Sequence, residues 1–214
     1  MMIEKVFLPA LLETIYMVST STLFSVLIGF ITAFILVVTA SDGLRPNKAV
    51  FGAFDLAVNV LRSFPFIILM IAIFPVTRAL VGTTIGTTAS VVPLTIAAAP
   101  FAARVIESAL KEVDAGVIEA AKSFGATTRQ ILFSIMLVEA LPAIAMGVIL
   151  TVITLVGYSA MAGAIGGGGL GDVAIKYGYY RFQTDIMIYT VVILIVFVQL
   201  VQSFGNAIYK KLIG

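Results

Sequence analysis

Glu119-Ala120-Ala121-Lys122-Ser123-Phe124-Gly125 lies between two long apolar segments of the chain. Asp114 stands where an N-cap satisfies the first free amides of a helix, and Gly125 where a left-handed residue closes one. Thr127 and Gln130 then repeat the start signal at capping-box spacing. The stretch reads as a short, exposed, charged helix, built to be gripped by a partner. A membrane chain interrupted in this way suggests a machine driven from outside the bilayer.

Composition sets the class. Of 214 residues, 61% are hydrophobic and 11% charged. With a mean hydropathy of +1.15 this excludes an ordinary soluble domain. The sequence has no cysteine and no histidine, which removes disulfide frameworks, thiolate metal sites and imidazole acid-base chemistry. A scattered net charge of +2 gives no footprint for nucleic acid. The first apolar stretch follows Lys5 and Glu13 rather than a basic tip and exceeds a signal-peptide core, so it is expected to be retained as a span.

A bilayer core takes roughly 20 apolar helical residues to cross, and the gaps between charges predict five spans. They cover 14–41, about 52–76, 79–103, 140–171 and 186–209. Pro93 and Pro100 are expected to kink or subdivide the third, and the glycine-rich tail of the fourth to lie outside its helix. The chain is expected to form one transmembrane domain over 1–214, all-α, with the loop at about 112–128 between spans three and four. Placing that loop inside puts Arg45, Lys48, Arg104, Lys111, Lys122, Arg129, Lys210 and Lys211 in the cytoplasm, leaving Lys5, Arg78, Lys176 and Arg181 outside. The N-terminus is then outside and the C-terminus cytoplasmic, with Tyr177, Tyr179 and Tyr180 marking the outer interface.

Secondary transporters and pumps usually need ionisable groups deep in the membrane, and this chain offers few. Asp55, Asn59 and Arg62 form one polar stripe at spacings of four and three. Arg62 starts about 10 Å along the helix from Asp55. A charge at mid-bilayer costs roughly 2.5 to 3.5 kcal/mol on insertion scales, so Arg62 should be paired or face a watery cavity. Two readings stand for it: an arginine snorkelling to the headgroups, or a pathway or gate residue. The sequence carries no G-x-x-x-x-G-K-[ST] loop and no soluble segment long enough for an ATPase domain. Energy must come from another subunit, or transport is passive.

The pattern Glu119-Ala120-Ala121, three residues, Gly125, nine residues, Ile135 resembles the EAA loop of ABC-importer permease subunits. That resemblance implies a coupling helix that docks in a groove of a cytoplasmic ATPase. It assigns Asp114, Gly116, Glu119, Ala120, Ala121, Phe124 and Gly125 to the docking segment. Val117, Ala121 and Phe124 are expected along one face, with Glu119 offering charge to a basic partner. Leu61-Arg62-Ser63-Phe64-Pro65-Phe66-Ile67-Ile68 is similar to the methionine-import permeases, as are the segment Gly157 to Asp172 and Tyr177-Gly178-Tyr179-Tyr180-Arg181-Phe182.

The implied fold is the five-helix type I importer permease in the inner membrane. Two copies would form the pathway, with two ATPase subunits holding ATP and Mg below and a substrate-binding lipoprotein above. The implied substrate is methionine, L and possibly D, moved by alternating access, and this chain would bind no cofactor and catalyse no reaction. One departure concerns Leu137-Val138, where the family places a proline after the leucine; this chain has Leu141-Pro142 instead.

The glycine-rich segment is open to two accounts. Gly166 to Gly169 suit an irregular turn, while Gly163, Gly167 and Gly171 are spaced for close helix contacts at a dimer axis. Gly166 and Gly167 therefore join Arg62, Tyr158, Ser159 and Met161 as pathway or gate candidates. Met161 is either a gap-filler or a soft contact for a thioether. Competing functions are import of another small amino acid or a methionine dipeptide, an ion-coupled transporter or channel, and a membrane enzyme. For the last, no clustered nucleophile and base is visible.

Overall fold

The computed structural model describes residues 3–213, so Met1, Met2 and Gly214 of the expected domain lie outside the described residues. Those described form helices joined by short turns, with no strand among them. The first helix, α1 (Leu8–Thr39), follows a π-helical turn at Ile3–Phe7. It begins six residues earlier than the charge gap implies, because the carboxylate of Glu13 accepts the Gly169 N–H at 2.7 Å.

The second expected span is not one helix. It is α2 (Lys48–Ser63) and α3 (Phe66–Ala72), bent by 107° at the break. Pro65 has no N–H and disfavours a helical conformation in the residue before it, so Phe64 is extended at φ −77°, ψ 129°. Helical bonding resumes with Leu69 N–H donating to the Pro65 carbonyl at 3.0 Å. A short α4 (Phe74–Val81) follows and stops at left-handed Gly82, φ +83°.

The third span is displaced toward the C-terminus as α5 (Thr87–Lys111), so residues 79–81 belong to α4 instead. Pro93 and Pro100 sit inside this unbroken helix, so of the expected kink or subdivision the subdivision does not occur. Each proline forfeits one backbone bond, and both are buried in a neighbourhood where surrounding helices fix the axis. The helix also runs past the expected stop at Ala103, because Arg104, Glu107 and Lys111 pair along it at i,i+3 and i,i+4.

Beyond α5 come α6 (Ala115–Ser123), α7 (Thr128–Gln130), a π-helical turn at Ile131–Met136 and α8 (Leu137–Glu139). Next is α9 (Leu141–Ala164), which leaves the glycine-rich tail outside, as expected. Pro142 lies in its first turn, where a missing N–H costs nothing, and exposed Val138 leaves the run into α9 intact. The chain ends with α10 (Gly169–Val173), a π-helical turn at Ala174–Tyr179 and α11 (Thr184–Ile213).

Among the described residues four helices, α1, α5, α9 and α11, are each long and apolar enough to cross a membrane; α2 and α3 reach that length and hydropathy only taken together, as a broken span or a re-entrant pair. α5 is the most enclosed of these and α11 the least. Lipid tails are as apolar as leucine, so close approach of small residues holds such helices together. Ser21, Ser25, Gly29 and Ala33 line one face of α1 at intervals of four, all buried, opposite the alanines of α5. At the crossing a Cβ on Gly29 would lie 2.8 Å from Ala102 Cβ, so only glycine permits this separation.

The described residues form four apolar clusters, the smallest joining Leu36, Val58 and Ala103. One, containing Ala33, Val37, Ile106, Leu110 and Ile131, lies beneath α6. A middle one holds Met17, Phe66, Leu94, Ala98 and Leu155. The far end is closed by Phe7, Ala10, Leu170, Val173 and Ile186.

Candidate functional site

The exposed helix α6 is defined by its ends. Asp114 Oδ1 accepts the Gly116 N–H at 2.7 Å and the Val117 N–H at 3.3 Å. Gly116 is part of this cap, since a Cβ there would lie 2.8 Å from Asp114 Oδ1. At the other end Gly125 N–H donates to the Lys122 carbonyl at 2.9 Å and Ala126 N–H to Ala121 at 3.0 Å, with Gly125 at φ +80°. This pair of bonds is a Schellman closure. Thr127 and Gln130 complete the capping box, Gln130 Oε1 accepting the Thr127 N–H at 2.8 Å.

Packing decides which face α6 offers. Ile118, Ala121 and Ala126 rest on the cluster beneath the helix. Val117, Ala120 and Phe124 are exposed on the other side, Phe124 at 90% exposure. Of the expected face of Val117, Ala121 and Phe124, Val117 and Phe124 are exposed and Ala121 is partly buried against that cluster. A cavity of about 340 Å³ lies behind α6, its wall including Asp42, Lys111, Glu119 and Lys122.

The polar stripe is rearranged as well. Asn59 Nδ2 donates to Asp55 Oδ2 at 3.1 Å, while Arg104, from α5, donates to Asp55 and to Asn59 Oδ1 at 2.9 Å. Buried Glu107 accepts from Arg104 at 2.7 Å and from Lys111 at 2.7 Å. Arg104 and Glu107 are the residues that sequence reasoning missed as a binding network. Their signal was the Arg104, Glu107, Lys111 spacing, which a span ending at Ala103 had assigned to a loop.

Arg62 has no salt bridge or hydrogen-bond partner among the described residues. It faces a second cavity, of about 210 Å³, lined by Leu61, Arg62, Phe64, Phe66, Leu69, Ala97, Phe101 and Tyr158. Arg62 and Tyr158, 96 positions apart, thereby meet at one site. Tyr158 stacks on Phe66 with ring centroids 4.6 Å apart and planes 3° from parallel, which fixes both rings. Ser159 and Met161 do not line it: Ser159 is buried and donates to the Val156 carbonyl at 2.8 Å, and Met161 is exposed.

The glycine segment forms a fastened turn at the far end. Gly86 N–H donates to the Gly166 carbonyl at 3.0 Å, and Gly167 N–H to Ala162 at 2.9 Å. A Cβ on Gly167 would lie 2.6 Å from Ser90 Oγ. Thr14 Oγ1 accepts the Leu170 N–H at 2.9 Å, beside the Glu13 bond to Gly169. Below the turn, Lys176 donates to Asp172 at 2.7 Å, which raises the ammonium above its usual pKa. Tyr179 and Tyr180 are exposed, while Arg181 lies over Tyr177, 4.7 Å from the ring centre.

Among the described residues no group of three or more acidic, histidine or cysteine side chains is assembled to hold a metal. The arrangement pairs charges between α2 and α5 and leaves one face of α6 exposed.

Comparison with known proteins gives one answer at three levels. Residues 25–213 match the family model described as "Binding-protein-dependent transport system inner membrane component". The chain is 52% identical to the probable D-methionine transport system permease protein MetI of Vibrio cholerae, over 95% of this chain and 91% of that protein. It is 44% identical to the methionine import system permease protein MetP of Bacillus subtilis, over 81% and 78% of the two chains. A chain of the MetNI methionine ABC transporter in inward-facing conformations superposes with a TM-score of 0.94 at 41% identity, covering 96% of this chain and 95% of that one.

Proposed function

The chain belongs to the family of binding-protein-dependent transport system inner membrane components, and from that membership we propose that α6 is the docking helix through which a separate ATPase drives it. The chain is a multi-pass inner-membrane permease subunit of a methionine ABC importer, the role named in relatives 52% and 44% identical to it. Its fold is that of the type I importer permease, shared with the MetNI chain.

The observation that carries the docking assignment is α6 itself. A nine-residue helix capped at both ends and presenting Phe124 at 90% exposure has no use for that ring within its own fold. Two copies of the chain enclose the pathway, and two ATPase subunits seat on the two α6 helices, carrying the ATP and Mg. A substrate-binding lipoprotein delivers methionine at the far end. The α6 end is cytoplasmic, the N-terminus is outside, and nucleotide-driven closure moves the helices between inward- and outward-facing states. The permease hydrolyses nothing. Arg62 and Tyr158 border the pathway; the turn around Gly166 and Gly167 closes its outer end.

The chain has no cysteine, so a single F124C variant gives an unambiguous crosslinking site. In membranes containing the assembled complex it should crosslink to the ATPase subunit, while a cysteine at the exposed far-end position Tyr180 should not. Crosslinking from Tyr180 and none from Phe124 would invert the assignment.

A further inference from the structure

The cavity beside Arg62 lies at mid-depth. Tyr158 is about 9 Å from the end of α9, Ala97 about 15 Å into α5, and Phe101 about 21 Å into it, at 1.5 Å per residue. An exposed guanidinium at that level needs an anion or water. Among the described residues no carboxylate pairs with it. Asp55, on the same face of α2, is taken by Arg104, and Glu107 by Arg104 and Lys111.

The break between α2 and α3 adds a second polar element. Phe64 is extended and Pro65 has no N–H, so the last carbonyls of α2 are not served by a following helical turn. Irregular backbone at membrane depth is tolerated where it lines a cavity. The remaining walls are apolar or aromatic, with Phe66 and Tyr158 held stacked.

We propose that Arg62 binds the α-carboxylate of the amino acid in transit, in the cavity formed by the α2–α3 break, Phe101 and the Phe66–Tyr158 pair. The guanidinium presents a fork of donors that a carboxylate satisfies with two bonds. The terminal carbonyls of α2 accept from the ammonium, and the aromatic walls take a thioether chain, for which sulfur–aromatic contact is favourable. The cavity, about 210 Å³, is smaller than the roughly 300 Å³ at which drug-sized pockets begin, and fits one amino acid better than a dipeptide. No bond is made or broken; the carboxylate exchanges water for the guanidinium and exchanges back on release.

The inference rests on the reading of this chain as an amino-acid permease, and the test separates the two. Uptake of radiolabelled methionine is measured in vesicles holding the complete complex with saturating binding protein, for wild type, Arg62→Lys and Arg62→Met. Copurification with the ATPase verifies that each variant has assembled. Arg62→Met should lower uptake by about tenfold or more and Arg62→Lys by a clearly measurable but smaller factor, since lysine keeps the charge and loses the fork. Wild-type uptake by Arg62→Met overturns the proposal. So does an assembled Arg62→Lys complex that fails as completely as Arg62→Met, because the role is then structural.

The competing anion is the headgroup of an anionic lipid. The Arg62→Met defect should be the same in purely zwitterionic vesicles and in vesicles containing phosphatidylglycerol; a defect confined to the anionic vesicles assigns Arg62 to headgroups and overturns the proposal. If the wild-type complex imports a different amino acid in place of methionine, the substrate reading fails. The carboxylate proposal is then decided by the same variants on that amino acid.

Discussion

Glu13 and Gly169, 156 positions apart, are joined by a hydrogen bond of 2.7 Å from the glycine N–H to the glutamate Oε2. Gly169 is at φ +75° and Gly168 at φ +80°, so the turn is set in conformations that only glycine adopts easily, and Glu13 supplies the acceptor that holds it there. Thr14 does the same for the next amide. Glu13→Ala should release this corner while leaving the clusters nearer α6 intact. Amide exchange at Gly169 and Leu170 should accelerate at least about tenfold, the loss of roughly 1.4 kcal/mol. Unchanged exchange there would mean the turn is held by packing alone.

Arg104 and Lys111 both serve Glu107, but unequally. Arg104 also reaches Asp55 and Asn59 on α2 and so links two elements, whereas Lys111 is half exposed. Arg104→Met should lower the stability of the purified chain by about 2 kcal/mol, a buried-pair loss discounted for partial exposure. Lys111→Met should cost less than about 1 kcal/mol. Thermal unfolding in one detergent checks the order, and a reversal would place the critical contact at Lys111.

Gly29→Ala should destabilise the α1–α5 crossing, because its new Cβ meets Ala102 Cβ at 2.8 Å and the Ala103 amide nitrogen at 3.0 Å. Overpacking of this kind typically costs about 1–3 kcal/mol. Ala102→Gly in the same chain should restore part of the loss, giving a favourable coupling in a double-mutant cycle. Strict additivity would mean the two residues are not opposed.

Asp114→Ala removes the acceptor for two amides of α6 and should fray its first turn, at a cost of about 1 kcal/mol. Phe124→Asp leaves both caps in place and changes only an exposed side chain. It should therefore preserve thermal stability while weakening copurification with the ATPase. Loss of stability in Phe124→Asp, with the ATPase still bound, would make the ring a structural contact instead.

Features written in neighbouring residues were legible before the structure. The Asp114 cap, the Gly125 closure and the Thr127–Gln130 box are local hydrogen-bond chemistry, and all three are present. Those that depend on distant partners were not. Glu13 reads as a span boundary until Gly169 is placed against it, and Arg104 reads as a loop charge until Asp55 arrives from α2. Prolines misled in both directions. Pro65 breaks an apolar run that looks continuous, while Pro93 and Pro100 leave α5 whole because packed neighbours decide the outcome. In the cavity, Arg62 and Tyr158 were each visible by type, but only the fold brings them together.

The central claim is that this permease carries methionine, powered from α6. Vesicles holding the chain, its ATPase and its binding protein are loaded with ATP on the ATPase side, and initial uptake of labelled L- and D-methionine is compared with that of other amino acids. The account predicts ATP-dependent uptake of methionine well above the rest, abolished when the ATPase is omitted. Equal uptake of all amino acids, or methionine uptake that persists without the ATPase, would contradict it.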